Sequence, residues 1–252
     1  MKRFERLEFG DASAAKGKGP HGEEIRNEEY FYKEALRCWL AGDFELALRN
    51  YSRALERNST FFQAWSGQVL MLIELGEYRE AIVWSDKALE LFPEHPELLA
   101  VKAVACARDG RTEKALAYSD NSIAKDNITS RVWLARAEVL LNRRSKVAEG
   151  CVSKAVSISD NDGPVVRLEA GRLLSDKGDY YAALEYLRSA VDMLPKSALA
   201  WYELGCCQAR LRQPEAELTL RQCMKLRPGW HMAESALRRS RKRGFVRRLF
   251  RR

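Results

Sequence analysis

The 252-residue sequence has three histidines, His21, His95 and His231, set far apart, and six cysteines, Cys38, Cys106, Cys151, Cys206, Cys207 and Cys223, with no CxxC spacing among them. A metal centre needs several such ligands brought together, so none is expected. There is no glycine-rich phosphate loop, no HExxH pair and no serine with a histidine at a suggestive spacing. Catalytic residues and cofactors are therefore expected to be absent. No apolar run approaches the ~18 residues that a membrane-spanning helix needs. The N-terminus, Met1-Lys2-Arg3-Phe4-Glu5-Arg6-Leu7-Glu8, is charged with no apolar stretch behind it, which is not the pattern of a secretory signal. A cytoplasmic chain with reduced, buried thiols is the resulting expectation, and the acceptor triplets at Asn58 and Asn127 are read as chance.

Charge is present but confined. The net charge is +8, with 31% charged and 46% apolar residues, an ordinary globular balance. Arg238, Arg239, Arg241, Lys242, Arg243, Arg247, Arg248, Arg251 and Arg252 stand against one nearby acid, Glu234. This C-terminal stretch accounts for the whole net charge, so residues 1–228 are formally neutral. A basic groove for nucleic acid along the body is thus not indicated. At about 100° per residue, Phe245, Val246, Leu249 and Phe250 share one side of a helix and the arginines the other. Two readings of this tail stay open: a solvated end, or a cationic amphipathic helix for an anionic membrane, a nucleic acid or an acidic protein.

The informative pattern is a repeat. Gly42-Asp43-Phe44, Gly76-Glu77-Tyr78, Gly110-Arg111-Thr112 and Gly178-Asp179-Tyr180 lie 34, 34 and 68 residues apart. Two helices joined at such a glycine must approach closely, which demands small residues at their crossings. With the glycine as position 15, positions 8, 20 and 27 read Ala35, Ala47, Ala54; Val69, Ala81, Ala88; Ala103, Ala115, Ser122; Ala137, Ala148, Ala155; Gly171, Ala183, Ala190; and Gly205, Ala216, Cys223. Only Val69 departs from Gly, Ala, Ser or Cys. Large residues fill the spaces between, with Phe31, Trp65, Leu99, Trp133 and Trp201 early in the first helices. Pro93, Pro195 and Pro228 fall where the second helix must stop, and Ser59, Asn127 and Asp160 hold the same slot as caps or breakers.

These residues resemble the tetratricopeptide repeat family, with Trp201-Tyr202-Glu203-Leu204-Gly205 the best match to its W-x2-L-G opening. The resemblance implies an all-α, right-handed solenoid of about six helix-turn-helix units over residues 28–228. Turns are expected near Gly42, Gly76, Gly110, Arg144, Gly178 and Arg212. Residues 1–27 read as an arm and a Gly-rich linker, and 229–243 as a capping helix carrying Trp230, Met232, Ala233 and Leu237. Gly244 marks a break before a tail, 244–252. The fourth turn, Arg143-Arg144-Ser145, and the sixth, Arg212-Gln213-Pro214, are one residue short, and Thr112 replaces an aromatic, so unit three is expected to pack loosely.

In that family the first helix of each unit lines the concave side. Carried over, this implies a protein-binding groove of Tyr32, Leu36, Trp39, Leu40, Leu70, Ile73, Val104, Arg108, Leu134, Glu138, Arg172, Tyr202 and Arg210, with Glu74 at its edge. Tyr32 and Leu36 are expected to have no packing duty within the repeats. The chaperone-binding members clamp a terminal carboxylate with a lysine and an asparagine, and here those positions are Tyr32 and Leu36, so that role is not expected. The expectation is a non-enzymatic scaffold or adaptor that holds one or more protein partners in its groove. The alternative is a peripheral tether to an anionic membrane or nucleic acid through the Arg-rich tail.

Overall fold

The computed structural model describes residues 26–142, 147–160 and 162–249, with the backbone alone for Asn142 and residues 242–249. Residues 1–25 of the N-terminal arm, the turn at Arg143-Arg144-Ser145, Phe250, Arg251 and Arg252 lie outside the described residues. Among those described there are thirteen helices and no strand. Six antiparallel pairs follow one another: α1 (Glu28–Leu40) with α2 (Phe44–Arg57), α3 (Phe62–Glu74) with α4 (Tyr78–Leu91), and α5 (Pro96–Arg108) with α6 (Thr112–Ile123). Then come α7 (Ser130–Asn142) with α8 (Val147–Ser157), α9 (Gly163–Asp176) with α10 (Tyr180–Met193), and α11 (Ala198–Arg210) with α12 (Ala216–Leu226). A longer helix, α13 (His231–Leu249), closes the series, and it runs through Gly244 without a break.

Local chemistry sets these boundaries. Asn27, Asp43, Asp179 and Ser197 each accept a hydrogen bond from a backbone N–H in the first turn that follows, satisfying donors the helix cannot. At the other end, Gly42, Gly76, Gly110 and Gly178 take the left-handed conformation, with φ between 79° and 88°. The residue after each donates to a carbonyl five back, as in Asp43 N–H to Cys38 O at 2.8 Å and Glu77 N–H to Leu72 O at 2.9 Å. That closes the orphan carbonyls of the helix end and reverses the chain. At the sixth turn Arg212 itself adopts φ 58°, so the same geometry is made without glycine, at the strain a side chain incurs there.

The crossing positions are the core's fixed points. Ala35, Ala47, Ala54, Val69, Ala81, Ala88, Ala103, Ala137, Ala148, Ala155, Ala183, Ala190 and Cys223 are all fully buried. A Cβ on Gly171 would come within 2.5 Å of Leu187 Cγ, and one on Gly205 within 2.7 Å of Leu220 Cγ. Trp65 and Trp201 recur in one role, their indole N–H groups donating to Ser59 O and Pro195 O in the preceding turn. In α6 Thr112 is exposed and Ala115, Ser119 and Ser122 are buried, while Leu116, Tyr118 and Ile123 pack partly buried against the core. The cap differs in one residue from the sequence pattern: Met232 is exposed, and Ala236 joins Trp230, Ala233 and Leu237 on the buried face.

The six pairs curl until the first meets the last. The Ser197 hydroxyl, which heads α11, donates to Leu40 O at 2.8 Å, and the Arg227 guanidinium donates to Ala41 O at 3.3 Å. Arg227 also lies 3.9 Å from Asp43 and stacks 4.7 Å above the Trp230 ring. Trp230 is pressed between Tyr202, at 4.8 Å, and Gly42, where a Cβ would reach within 2.6 Å of the indole. Gly42 is thus required twice, for its φ of 81° and for the space it leaves at the seam.

Candidate functional site

The first helix of each pair faces the axis of the curl, so α3, α5, α7, α9, α11 and the cap α13 line an interior with two chambers. The first has a volume of about 200 Å3 and is walled by Leu70, Ile73, Val101, Val104, Leu134 and Leu173 together with charged groups from four units. The second has about 380 Å3 and lies between α9, α11 and α13, with Tyr202, Cys206, Ala209, Arg210, Ala236 and Arg239 on its walls. Asp176 lines both.

Most of the groove residues read from the sequence converge here. Leu70, Ile73, Val104, Arg108, Leu134, Glu138 and Arg172 line the first chamber, and Tyr202 and Arg210 the second. Four from unit one do not. Trp39 is 4% exposed and belongs to the main core. Tyr32 carries a packing duty after all, meeting Tyr51 edge-on at 5.8 Å and Phe61 at 5.2 Å. Leu36 and Leu40 are half-buried and line neither chamber, and the Leu40 carbonyl is taken up at the seam. Trp39, Tyr32 and Leu40 at the N-terminal end of the expected groove therefore contribute to repeat packing.

Ion pairs span the interior. Arg172 forks onto Glu74, at 2.6 and 2.7 Å, and its Nε–H donates to Glu203 Oε1 at 3.1 Å. One side chain thereby joins α3, α9 and α11 across the curl. Arg108 pairs with Glu138 and approaches Asp176 at 3.5 Å, and Arg131 reaches Glu169 at 3.3 Å. Burial pushes the Glu74 carboxyl up, but the Arg172 guanidinium outweighs it and holds it below the usual carboxylate range. For Glu138 and Glu203 burial wins over their arginines, and both carboxyls are raised. Burial, with Glu203 beside it, pushes the Cys206 thiol up to about 12, so this cysteine is a poor nucleophile at neutral pH.

Three members of this network, Arg131, Glu169 and Glu203, were not singled out from the sequence. A signal existed: Arg131 lies on the first helix of its unit, the helix that the family resemblance places on the concave side, and Arg108–Glu138 and Arg172–Glu203 pair at separations close to one repeat. The 98-residue link from Arg172 to Glu74 had no such signal, because it depends on how tightly the array curls. All six cysteines are free thiols, Cys206 half-buried and the rest buried. Among the described residues no group of histidine, cysteine and carboxylate side chains has the arrangement of a metal site, and no helix is long and apolar enough to cross a membrane.

The sequence profile of the tetratricopeptide repeat matches residues 32–96, 72–127 and 168–220, more than half of the chain. The chain belongs to the tetratricopeptide repeat family. Proteins of this family are in general interaction scaffolds without enzymatic activity. The chain is similar to the Hsp70-Hsp90 organizing protein of Triticum aestivum, 26% identical over 192 residues, covering 74% of this chain and 33% of that protein. It is also similar to the Protein CTR9 homolog of Arabidopsis thaliana, 24% identical over 169 residues, covering 64% of this chain and 16% of that protein. It thus spans a third or less of either relative's length. Among solved structures, a thermophilic tetratricopeptide repeat protein of Thermus thermophilus superposes with a TM-score of 0.53 at 18% identity, covering 71% of this chain and 98% of that one. At that identity the likeness speaks for the fold alone.

Proposed function

We propose that this tetratricopeptide repeat chain is a non-enzymatic, cytoplasmic scaffold or adaptor that holds a segment of a partner protein against its concave interior. The observation that carries this reading is the convergence of Leu70, Ile73, Val104 and Leu134 with charged groups from several units on a chamber of about 200 Å3. At roughly 30 Å3 for each water, that volume suits one or two inserted side chains of a partner, not a whole helix. Apolar walls supply the affinity for such an anchor and fixed charges its orientation. The relative named as an Hsp70-Hsp90 organizing protein fits a protein partner, although the carboxylate clamp positions are filled here by Tyr32 and Leu36.

The test is capture of a partner by the full chain and by a Leu70→Asp, Ile73→Asp variant. Both residues are half-buried and line the chamber. Loss of capture with an unchanged circular dichroism spectrum supports the reading, and capture at the parent level by a folded variant refutes it. The tether reading rests on the charge and amphipathic pattern of the C-terminal segment, and part of that charge is engaged within the fold, since Arg241 donates to Glu217 at 3.0 Å.

A further inference from the structure

The two chambers differ in how their charges are matched. In the first, each guanidinium has carboxylates beside it: Arg108 with Glu138 and Asp176, Arg131 with Glu169, Arg172 with Glu74. The second also carries two acids, Asp176 and Glu203, but Arg108 and Arg172 already hold them. That leaves Arg210 at the end of α11 and Arg239 on α13, both lining a space of about 380 Å3. Neither has an ion pair among the described residues, and Arg210 has only the face of Tyr180, 5.9 Å away. The positive charge of Arg239 acts on the Tyr202 hydroxyl and the Cys206 thiol. The same lining includes Ala209, Ala236 and Tyr202.

We infer that this chamber, built jointly by the last repeat and the capping helix, receives an acidic segment of the partner, with carboxylates placed on Arg210 and Arg239. This deepens the groove reading and rests on it. A guanidinium makes its strongest bonds to a carboxylate or phosphate, and both arginines are exposed to an approaching segment while lining the chamber. A peptide is favoured over a nucleic acid because Asp176 and Glu203 lie on the same walls. A phosphate at every step would be carried past those carboxylates, whereas a peptide can put acids at two points and a small apolar residue between them.

The experiment uses the full chain and three fluorescent peptides read by anisotropy: one alternating glutamate with small apolar residues, its glutamine counterpart, and its lysine counterpart. The acidic peptide should bind and the other two should not. Arg210→Ala and Arg239→Ala should each weaken it by about ten-fold or more, the scale of a lost charged hydrogen bond. Arg238→Ala is the control, because that side chain is exposed, bonds to Ser235 and lines neither chamber, and it should change binding less than about two-fold, the scale of a rim charge. Equal binding of the glutamine peptide overturns the inference in favour of a site that does not read charge, and equal loss with Arg238→Ala overturns it in favour of nonspecific attraction to the basic helix. Preference for single-stranded DNA over the acidic peptide overturns it in favour of a phosphate site. If only the glutamine peptide binds, and Leu70→Asp abolishes that while the arginine variants do not, the acidic inference fails and the groove reading stands. If none of the peptides binds, both fail.

Discussion

Removing Arg172 tests the interior network most sharply. Its side chain is 19% exposed, against 24% for Glu74 and 18% for Glu203. An Arg172→Leu chain keeps the apolar stem but leaves two buried carboxylates without their cation. Breaking a buried pair in this way costs about 3–5 kcal/mol, mainly through the charge left uncompensated. At roughly 2–4 °C for each kcal/mol in a chain of this size, the melting temperature should fall by roughly 10 °C. The sign with pH separates this from a packing defect. In the parent, Glu74 is held below its unfolded pKa of ~4.3, so its stabilisation is present above that pH and lost as the pH falls through the folded value. In the variant, Glu74 and Glu203 should move up. A raised folded pKa means that the folded state takes protons more readily than the unfolded, so the variant should recover towards the parent as the pH drops from 7 towards 5. The assay is urea unfolding followed by circular dichroism and tryptophan fluorescence, whose coincidence justifies a single free energy in a repeat array. A deficit below about 1 kcal/mol, or one that is the same at both pH values, refutes the account.

Gly171→Ala places a methyl group 2.5 Å from Leu187 Cγ and should cost about 1–3 kcal/mol in a denaturant melt, with unchanged helix content. Tyr32→Asp should destabilise unit one by at least ~1 kcal/mol, because the ring packs on Tyr51 and Phe61; an unchanged melt would restore Tyr32 to the groove surface. A Ser197→Ala, Arg227→Ala, Trp230→Ala triple variant should open the seam, seen as a larger radius of gyration by X-ray scattering at constant helicity; an unchanged radius would show that the curl does not depend on these contacts.

The sequence shows the fold better than the site, for a physical reason. Turn glycines and crossing alanines are local demands of a helix hairpin, so a 34-residue lattice carries them directly, and every crossing position is buried as that lattice requires. Even at the sixth turn, where Arg212 replaces glycine, the Gln213 N–H to Gln208 O bond keeps the same closure. Curl is not local. It is the sum of small rotations over six pairs, and it brings Ser197 to Leu40 and Arg172 to Glu74. The groove positions of units two to six were legible because they follow from the helix register. Trp39 and Tyr32 have the same register, but they belong to the end unit, where apolar groove positions turn inward against Tyr51, Phe61 and the core. Arg239 was legible as charge in a tail but not as a wall of a chamber, since that needs α13 to stack on α11 and α12.

The central claim is that the concave interior holds the partner. A photo-reactive residue placed at Ile73, on the wall of the first chamber, and in a second chain at Val83, 53% exposed on α4, addresses it directly. After irradiation in cells, cross-linked partners can be isolated and the attached peptide sequenced. The account predicts one short, recurrent partner segment joined at Ile73 and none at Val83. A partner joined at Val83 while Ile73 stays unlinked would contradict it and move the binding surface to the second helices of the repeats.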